Sequence, residues 1–438
     1  MPDSLNSSVN QHYLNKVMDL AEVMPVVATE DIFDARGMKL IAKGARVSRT
    51  LQEKLILHKL RKPIESSMSV EAGVDSDHLM ETATRVIDTS LPLRSILQTT
   101  GVSGFTPMKI LSSMAFGNAM SMMLTISERD GSQAFEHAVV VSLLSICMAR
   151  KLRLSEQDQV VAGLAGLLHD IGELYIDPIY LARGKRLLPR EWAHVVVHPR
   201  IGQMLINELE SYPPGVGRAV AEHHERLDGS GYPRHAASKD ISMPGQTLSV
   251  AEMIAGLLSK DHPLERAELA LKIIPGEHPH GLLSAISGAL NFSRQKIDAA
   301  ALPPANGGED IERLFWRISS SLENAQKLLS GSTVKSQITK EVLVQTVVRI
   351  QTIQRACISS GIDVYLNQAQ IFAESDDHSI IFEKDVATRE IQWRLRGIAR
   401  DIALHSGAQD ENSIFAPLIN LLDDQPEAAL EIKPAEQS

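Results

Sequence analysis

The sequence predicts a mainly α-helical protein with a small N-terminal β-rich module and a helical C-terminal extension. Hydrophobic residues make up 44% of the 438 but aromatic residues only 4%, a balance rich in Leu, Ile, Ala and Met that favours helices over sheets. Apolar residues recur at helical spacing over most of the chain beyond His78. Short apolar runs broken by glycine turns are confined to residues 21–75.

Residues 1–20 read as a flexible N-terminus holding a short helix near 12–20. In the module that follows, VVATEDIF and MKLIAKGARVS form two strands across a turn at Ala35-Arg36-Gly37. A second turn at Lys43-Gly44 leads into a helix capped by Ser48, with His58 on its surface, and IESSMSV returns as a strand. Residues 71–77 are a linker and 78–126 a helical connector whose methionine-rich run, MKILSSMAFGNAMSMMLTI, reads as core. A domain over 127–330 opens with a long helix at 135–154 that carries His137 at its polar start. Helices at 160–171, from 191 through His198, at 215–225 and at 248–259 follow, then 293–301 and 309–329 around a Pro-Gly-rich break. The helical region 331–422 carries an amphipathic helix at 338–357 and helices at 362–372 and 389–405, with packing or dimerisation as its expected role. Residues 423–438 read as a disordered tail.

Lys and Arg number 44 against 54 Asp and Glu, for a net charge of −10. That balance argues against duplex nucleic acid as a partner. The two cysteines, Cys147 and Cys357, imply no disulfide framework and read as small buried apolar residues. The longest apolar run, 138–149, is shorter than the ~20 residues of a membrane span, and the N-terminus lacks a signal-peptide layout. A cytoplasmic protein is expected.

Chemistry concentrates between His169 and Pro233. LLHDIGE (167–173) supplies an adjacent His-Asp pair, His198 stands alone, and HHERLDGSGYP (223–233) supplies an adjacent His-His pair. Imidazole nitrogen and carboxylate oxygen are the donors that hold Fe, Mn, Co or Zn. Neighbouring side chains on a helix diverge by about 100°, so one member of a doublet can reach one ion and its neighbour a second. Two doublets with single ligands therefore suggest two metals rather than one. Asp170 adds a separate reason, because it ends an apolar run where an unpaired carboxylate is costly.

With HD…H…HH followed by DGSGYP, residues 127–291 resemble the HD-GYP domain, a branch of the HD superfamily of metal-dependent phosphohydrolases. The resemblance implies a helical HD-GYP phosphohydrolase core in a bacterial signalling protein. It also implies two divalent metal ions, Fe or Mn, shared by His137, His169, Asp170, His198, His223, His224 and Glu252, with Asp170 bridging. The implied activity is that of a cyclic di-GMP phosphodiesterase, in which a metal-bridged hydroxide attacks phosphorus. Asp170, Glu173 and Arg226 are its implied catalytic residues, and Arg226, Asp228, Gly231, Tyr232 and Pro233 those at the substrate. A cyclic dinucleotide, a signalling protein and a second copy of the chain are the implied partners. His194, four residues before His198, shares its helix face, and two His at that spacing could chelate one metal, but the family pattern singles out His198 and leaves His194 to solvent or to a supporting place.

Several positions depart from the family pattern. Glu173 stands where HDIGK has lysine, so its carboxylate repels a phosphate unless it serves as an additional metal ligand, the alternative favoured by the cost of an unpaired carboxylate. Gln133 stands where three-metal members carry Glu, which favours two ions. Glu252 replaces the ligand Asp, Gln246 an Arg, and Ala255-Gly256 an Asp-Ala. Metal binding should survive these changes better than turnover. A catalytically quiet HD-GYP signalling domain and an HD hydrolase of another nucleotide are the alternatives.

Overall fold

A computed structural model of the chain describes residues 9–99, 105–130, 133–182, 185–293, 308–331, 334, 336–359, 378–405 and 409–424. The chain forms two compact units. The first comprises Met1–Lys185, His194–Ala267 and Gly276–Arg294; the second comprises Arg186–Ala193, Glu268–Pro275 and Gln295–Ser438.

The first unit opens with helix α1 (Gln11–Val23), capped by Asn10, whose side chain accepts the Tyr13 amide. Strands β1 (Val26–Ala28), β2 (Ile32–Phe33), β3 (Lys39–Ile41) and β4 (Met68–Val70) pair antiparallel as β1 with β4 and β2 with β3. The stretch expected as one strand is split because its middle is polar and bonds elsewhere. Thr29 donates its amide to Ser67, and the Asp31 carboxylate takes the amide of Lys43. Gly37, at φ +85°, makes the turn between β2 and β3. Ser48 sits at the start of α2 (Arg49–Leu57), but its hydroxyl bonds that of Thr50 and not the helix amides. His58 lies 3.3 Å from the buried carboxylate of Asp34.

Helices α3 (Ser76–Thr89), α4 (Leu91–Thr99), α5 (Phe105–Ser112) and α6 (Asn118–Arg129) follow. Met120, Met122 and Met123 are fully buried, so this part of the methionine run is core. The centre of the unit is built from α7 (Ala134–Lys151), α8 (Glu156–Leu168), α11 (His198–Leu209), α12 (Val216–Glu222) and α13 (Met243–Leu257). Short α9 (Pro178–Leu181) and α10 (Trp192–Val195) fall between α8 and α11, and α14 (Pro263–Lys272) and α15 (His280–Ser293) come after α13. α7 packs on α8 and α13, and α12 packs on α8, α11 and α13. α7 and α8 are buried nearly all round, and each enclosed Leu, Ile or Val stabilises by about 1.5–3 kcal/mol. A Cβ at Gly166 would meet the Ser142 backbone at 2.8 Å, so glycine sets how closely these two helices approach.

A second carboxylate enclosed in the β module, besides Asp34, is that of Glu65. Glu65 is 5% exposed, accepts the Tyr175 hydroxyl, and is faced by Tyr13 and Glu208. Burial pushes its carboxyl up, against the Tyr175 hydrogen bond, and Glu208 adds to the rise. The folded chain thus holds this proton more tightly than the unfolded chain does. The associated stability is full below the ordinary carboxylate range and lost as pH rises through the folded value. Glu65→Gln, whose amide oxygen still accepts the hydroxyl, should match the wild type near pH 4 and melt a few degrees higher at pH 7. Thermal unfolding across that pH range measures it; equal melting temperatures throughout would show the carboxyl to be unperturbed.

In the second unit α16 (Gly308–Ser330), α17 (Gln337–Ser359), α18 (His378–His405) and α19 (Gln409–Asp423) surround a core that includes Leu314, Ile350, Leu395 and Phe415. Arg317 ties its first helix to its last by donating to the carbonyls of Leu421 and Leu422. The helices expected at 362–372 and beyond 293, and the tail beyond 424, lie outside the described residues. Among the described residues no single helix is long and apolar enough to cross a membrane.

Candidate metal centre

Helix ends present most of the candidate ligands. His169 closes α8 and Asp170 opens the 3-10 turn Ile171–Tyr175. His198 is the first residue of α11, and His223 closes α12 with His224 following. His137 lies in the first turns of α7 and Glu252 in the middle of α13. Expected helices therefore stop earlier than the sequence suggested: α8 ends at Leu168 and α12 at Glu222. The run from 191 through His198 divides into α10 and α11 because Pro199 suits a first turn and not an interior. His194 then shares no helix face with His198 and stacks on Tyr180, with centroids 4.3 Å apart.

The ligand atoms gather in two groups, each within 4.8 Å: His137, His169 and Glu252; and Asp170, His198, His223 and His224. Asp170 faces both. Its Oδ2 is 2.9 Å from His169 Nε2, while its Oδ1 is 3.4 Å from His198 Nε2 and 3.6 Å from His223 Nε2. Glu252 Oε2 lies 2.9 Å from His137 Nε2 and 3.1 Å from His169 Nε2.

The backbone decides what these rings offer. Nδ1 of His169, His198 and His223 lies 2.9, 2.8 and 2.6 Å from the carbonyls of Gly166, Val195 and Val220. A carbonyl only accepts, so each Nδ1 carries hydrogen and each neutral ring turns an Nε2 lone pair inward. His198 Nε2 and His223 Nε2 are 3.2 Å apart, and two lone pairs at that distance need a proton or a cation beside them. His169 Nε2 is buried without a well-directed hydrogen bond. This donor set fits a divalent ion, and the Nδ1–carbonyl bonds are the supports that metal-bound histidines use.

Charge points the same way. Burial opposes a charged His169, but Asp170 and Glu252 outweigh it and hold the ring well above the ordinary imidazole range. Burial likewise opposes the charged forms of Asp170 and Glu252, yet the facing histidines keep both well below the usual carboxylate range. Burial, with His223 and His198 adding to it, pushes His224 well down. Protons and divalent cations thus compete for the same lone pairs. Glu173 belongs to neither group. Burial, and then the Asp170 charge, pushes its carboxyl up to about 7.

The DGSGYP turn is held from behind. Arg226 is buried, and its guanidinium donates to Ser249 Oγ at 2.6 Å and to the Glu225 carbonyl. Asp228 accepts the Ser230 amide. A Cβ at Gly231 would come within 2.4 Å of the backbone at His224, Glu225 and Arg226, so only glycine fits there. Tyr232 stacks on His224 with centroids 4.5 Å apart, and Pro233 follows through a cis peptide. Two carboxylates that the sequence reading passed over do much of the holding. Glu225 accepts the amides of Arg234 and Ala236, while Glu222 accepts the Ser242 amide and hydroxyl and the guanidinia of Arg218 and Arg234. Their signal was available: acidic residues beside a His doublet at the end of an apolar helix.

Gly172 is the tightest point of the site. A Cβ there would lie 2.1 Å from the His198 carbonyl oxygen and 2.9 Å from the Gly202 nitrogen, and backbone yields little. Gly172→Ala should therefore part the Asp170 turn from α11, destabilise by roughly 1–3 kcal/mol, and weaken divalent-ion binding. Denaturant unfolding and Mn(II) titration check both effects; a stable variant with wild-type affinity would show that the turn can move without cost.

Residues 119–278 match the family described as HD domain. Over 158 residues the chain is 34% identical to cyclic di-GMP phosphodiesterase PA4108 of Pseudomonas aeruginosa, covering 36% of this chain and 37% of that protein. Over 131 residues it is 31% identical to 3'3'-cGAMP-specific phosphodiesterase 3 of Vibrio cholerae, covering 30% and 28%. The matched segment thus spans about a third of these relatives. A solved structure, Bd1817, an HDG"Y"P protein from Bdellovibrio bacteriovorus, covers 61% of this chain and 94% of that one at 17% identity and a TM-score of 0.34, too low for any argument to rest on it. The matched segment, residues 119–278, is an HD domain, and it holds the His doublet and DGSGYP turn on which the resemblance to HD-GYP domains rests.

Proposed function

We propose that the chain is a metal-dependent cyclic dinucleotide phosphodiesterase with cyclic di-GMP as its substrate, acting in cytoplasmic signalling. The observation that carries this reading is the pair of His and carboxylate groups with Asp170 facing both, beside the DGSGYP turn. His137, His169 and Glu252 would hold one divalent ion, and His198, His223 and His224 a second, with Asp170 shared. Iron or manganese suits such a nitrogen and oxygen set. Bound divalent ions supply charge that neutralises phosphate oxygens and lowers the pKa of water.

The chain's own residues supply the rest. The Nδ1–carbonyl bonds aim the imidazoles, and Tyr232 holds His224 by stacking. Arg226 keeps the turn in place through Ser249 and the Glu225 carbonyl, so its role in this reading is to shape the substrate wall. Asp228, Gly231, Tyr232 and Pro233 form that wall.

The resemblance to a 3'3'-cGAMP-specific enzyme makes the choice of cyclic dinucleotide a direct test. Purified full-length protein loaded with Fe(II) or Mn(II) should hydrolyse cyclic di-GMP faster than 3'3'-cGAMP or a nucleoside monophosphate, and chelation should abolish turnover. Preferred hydrolysis of either comparator would replace the substrate. One observation favours a second reading: Glu173 places an acidic group beside Asp170, which opposes a phosphate. Protein that carries its ions and binds cyclic di-GMP without turnover would be a signalling domain, not an enzyme.

A further inference from the structure

Asp170 stands at one end of the turn Ile171–Tyr175, and residues distant in sequence hold the other end. The Asn10 side chain accepts the Tyr13 amide at 3.0 Å and donates from Nδ2 to the Tyr175 carbonyl at 3.2 Å. The Tyr13 ring, fully buried, stacks on Tyr175 with centroids 4.9 Å apart and planes 8° from parallel. The Tyr175 hydroxyl donates to Glu65, in the 3-10 turn Ile64–Ser67 of the β module. Tyr175 is thus gripped on its carbonyl and its ring face by the start of α1, and on its hydroxyl by the Ile64–Ser67 turn.

The turn's own backbone hydrogen bonds do little to fix it, and it is held by what it packs on: α11, α6 and α1. Its backbone bonds include Glu173 to Asp170 at 2.8 Å and Ile176 to Glu173 at 3.0 Å, and short 3-10 runs have poor hydrogen-bond geometry. Its span is about 10 Å at 3-10 rise, and close-packed interiors transmit displacements over such distances. Gly172 wedges its middle against α11. The grip on Tyr175 then holds the turn's far end against pivoting about that wedge, a motion that would draw Asp170 away from one ligand group.

We propose that Asn10, Tyr13 and Tyr175 are positioning residues for Asp170, which makes α1 part of the apparatus that holds the divalent ions. This rests on the metal reading above. Tyr13 acts through its ring, since its buried hydroxyl has no hydrogen-bond partner among the described residues. Anything that lifts α1 or the Glu65 turn off Tyr175 lowers ion affinity, so the N-terminal module becomes an input to the site.

Amide hydrogen exchange and Mn(II) calorimetry on the full chain test this with wild type, Asn10→Ala, Tyr13→Leu, Tyr13→Phe and His169→Ala. Asn10→Ala and Tyr13→Leu should speed exchange at the Glu173 and Ile176 amides and weaken Mn(II) binding, each about tenfold. The β1–β4 ladder should exchange as in wild type, and Tyr13→Phe should match wild type in both measurements. Unchanged exchange in the turn, or a rise shared with the ladder, would overturn the proposal. So would faster exchange with unaltered Mn(II) affinity while His169→Ala fails to bind. If His169→Ala binds Mn(II) as wild type does, the metal reading fails and takes the positioning role with it.

Discussion

Asp170→Ala should leave the protein without its divalent ions and without phosphodiester turnover. Its two oxygens face different ligand groups, Oδ2 toward His169 and Oδ1 toward His198 and His223. In the two-ion reading proposed above, removing it would take a negative ligand from both ions at once, while His169→Ala takes a nitrogen from one group and leaves Asp170 without its nearest imidazole. Because ion charge is worth several kcal/mol at a phosphoryl transition state, turnover should drop by at least about a thousandfold in either variant. Stability should drop as well, since the ligands come from α7, α8, α11, α12 and α13 and an ion ties these elements together. Elemental analysis separates the cases. Asp170→Ala should retain almost no ion, and added Mn(II) should raise the melting temperature of wild type but not of the variant. Wild-type ion content in both variants would show the site to be misassigned.

Which residues meet was legible where chemistry constrains the sequence locally. A His-Asp doublet, a His-Pro, a His-His doublet and a glycine-rich turn announce donors and their order before any fold is known. The mainly helical class was legible in the same way, because helical periodicity survives in each segment alone. Where helices stop was less so. Pro199 is a helix-start signal that the apolar run around it concealed, and with it went the idea that His194 and His198 share a face. Glu222 and Glu225 were passed over because an acidic residue on a helix is usually solvated, and only tertiary packing encloses these two. The grip of Asn10, Tyr13 and Glu65 on Tyr175 joins residues 110 or more positions apart. No local pattern carries such a pairing.

Glu173→Lys should keep the divalent ions and raise phosphodiester turnover by roughly tenfold to a hundredfold. Two readings of Glu173 were open from the sequence: an added ligand, or a carboxylate facing the substrate. The geometry favours the second, because Glu173 lies outside both ligand groups although only three residues from Asp170. Burial and the Asp170 charge push its carboxyl up to about 7, against the nearby His198 and His169. A phosphodiester carries negative charge. Ionised Glu173 repels it, and lysine at the same place would attract it as a point charge. Lysine is also what the HDIGK pattern carries, so the exchange should be compatible with bound ions. Ion content and cyclic di-GMP hydrolysis, measured side by side on wild type and Glu173→Lys, separate the outcomes. Loss of an ion together with loss of turnover would make Glu173 a ligand after all. A wild type that carries its ions yet is inactive, beside an active Glu173→Lys, would mark this chain as a domain whose catalysis a single carboxylate has silenced, leaving nucleotide or partner binding as its output.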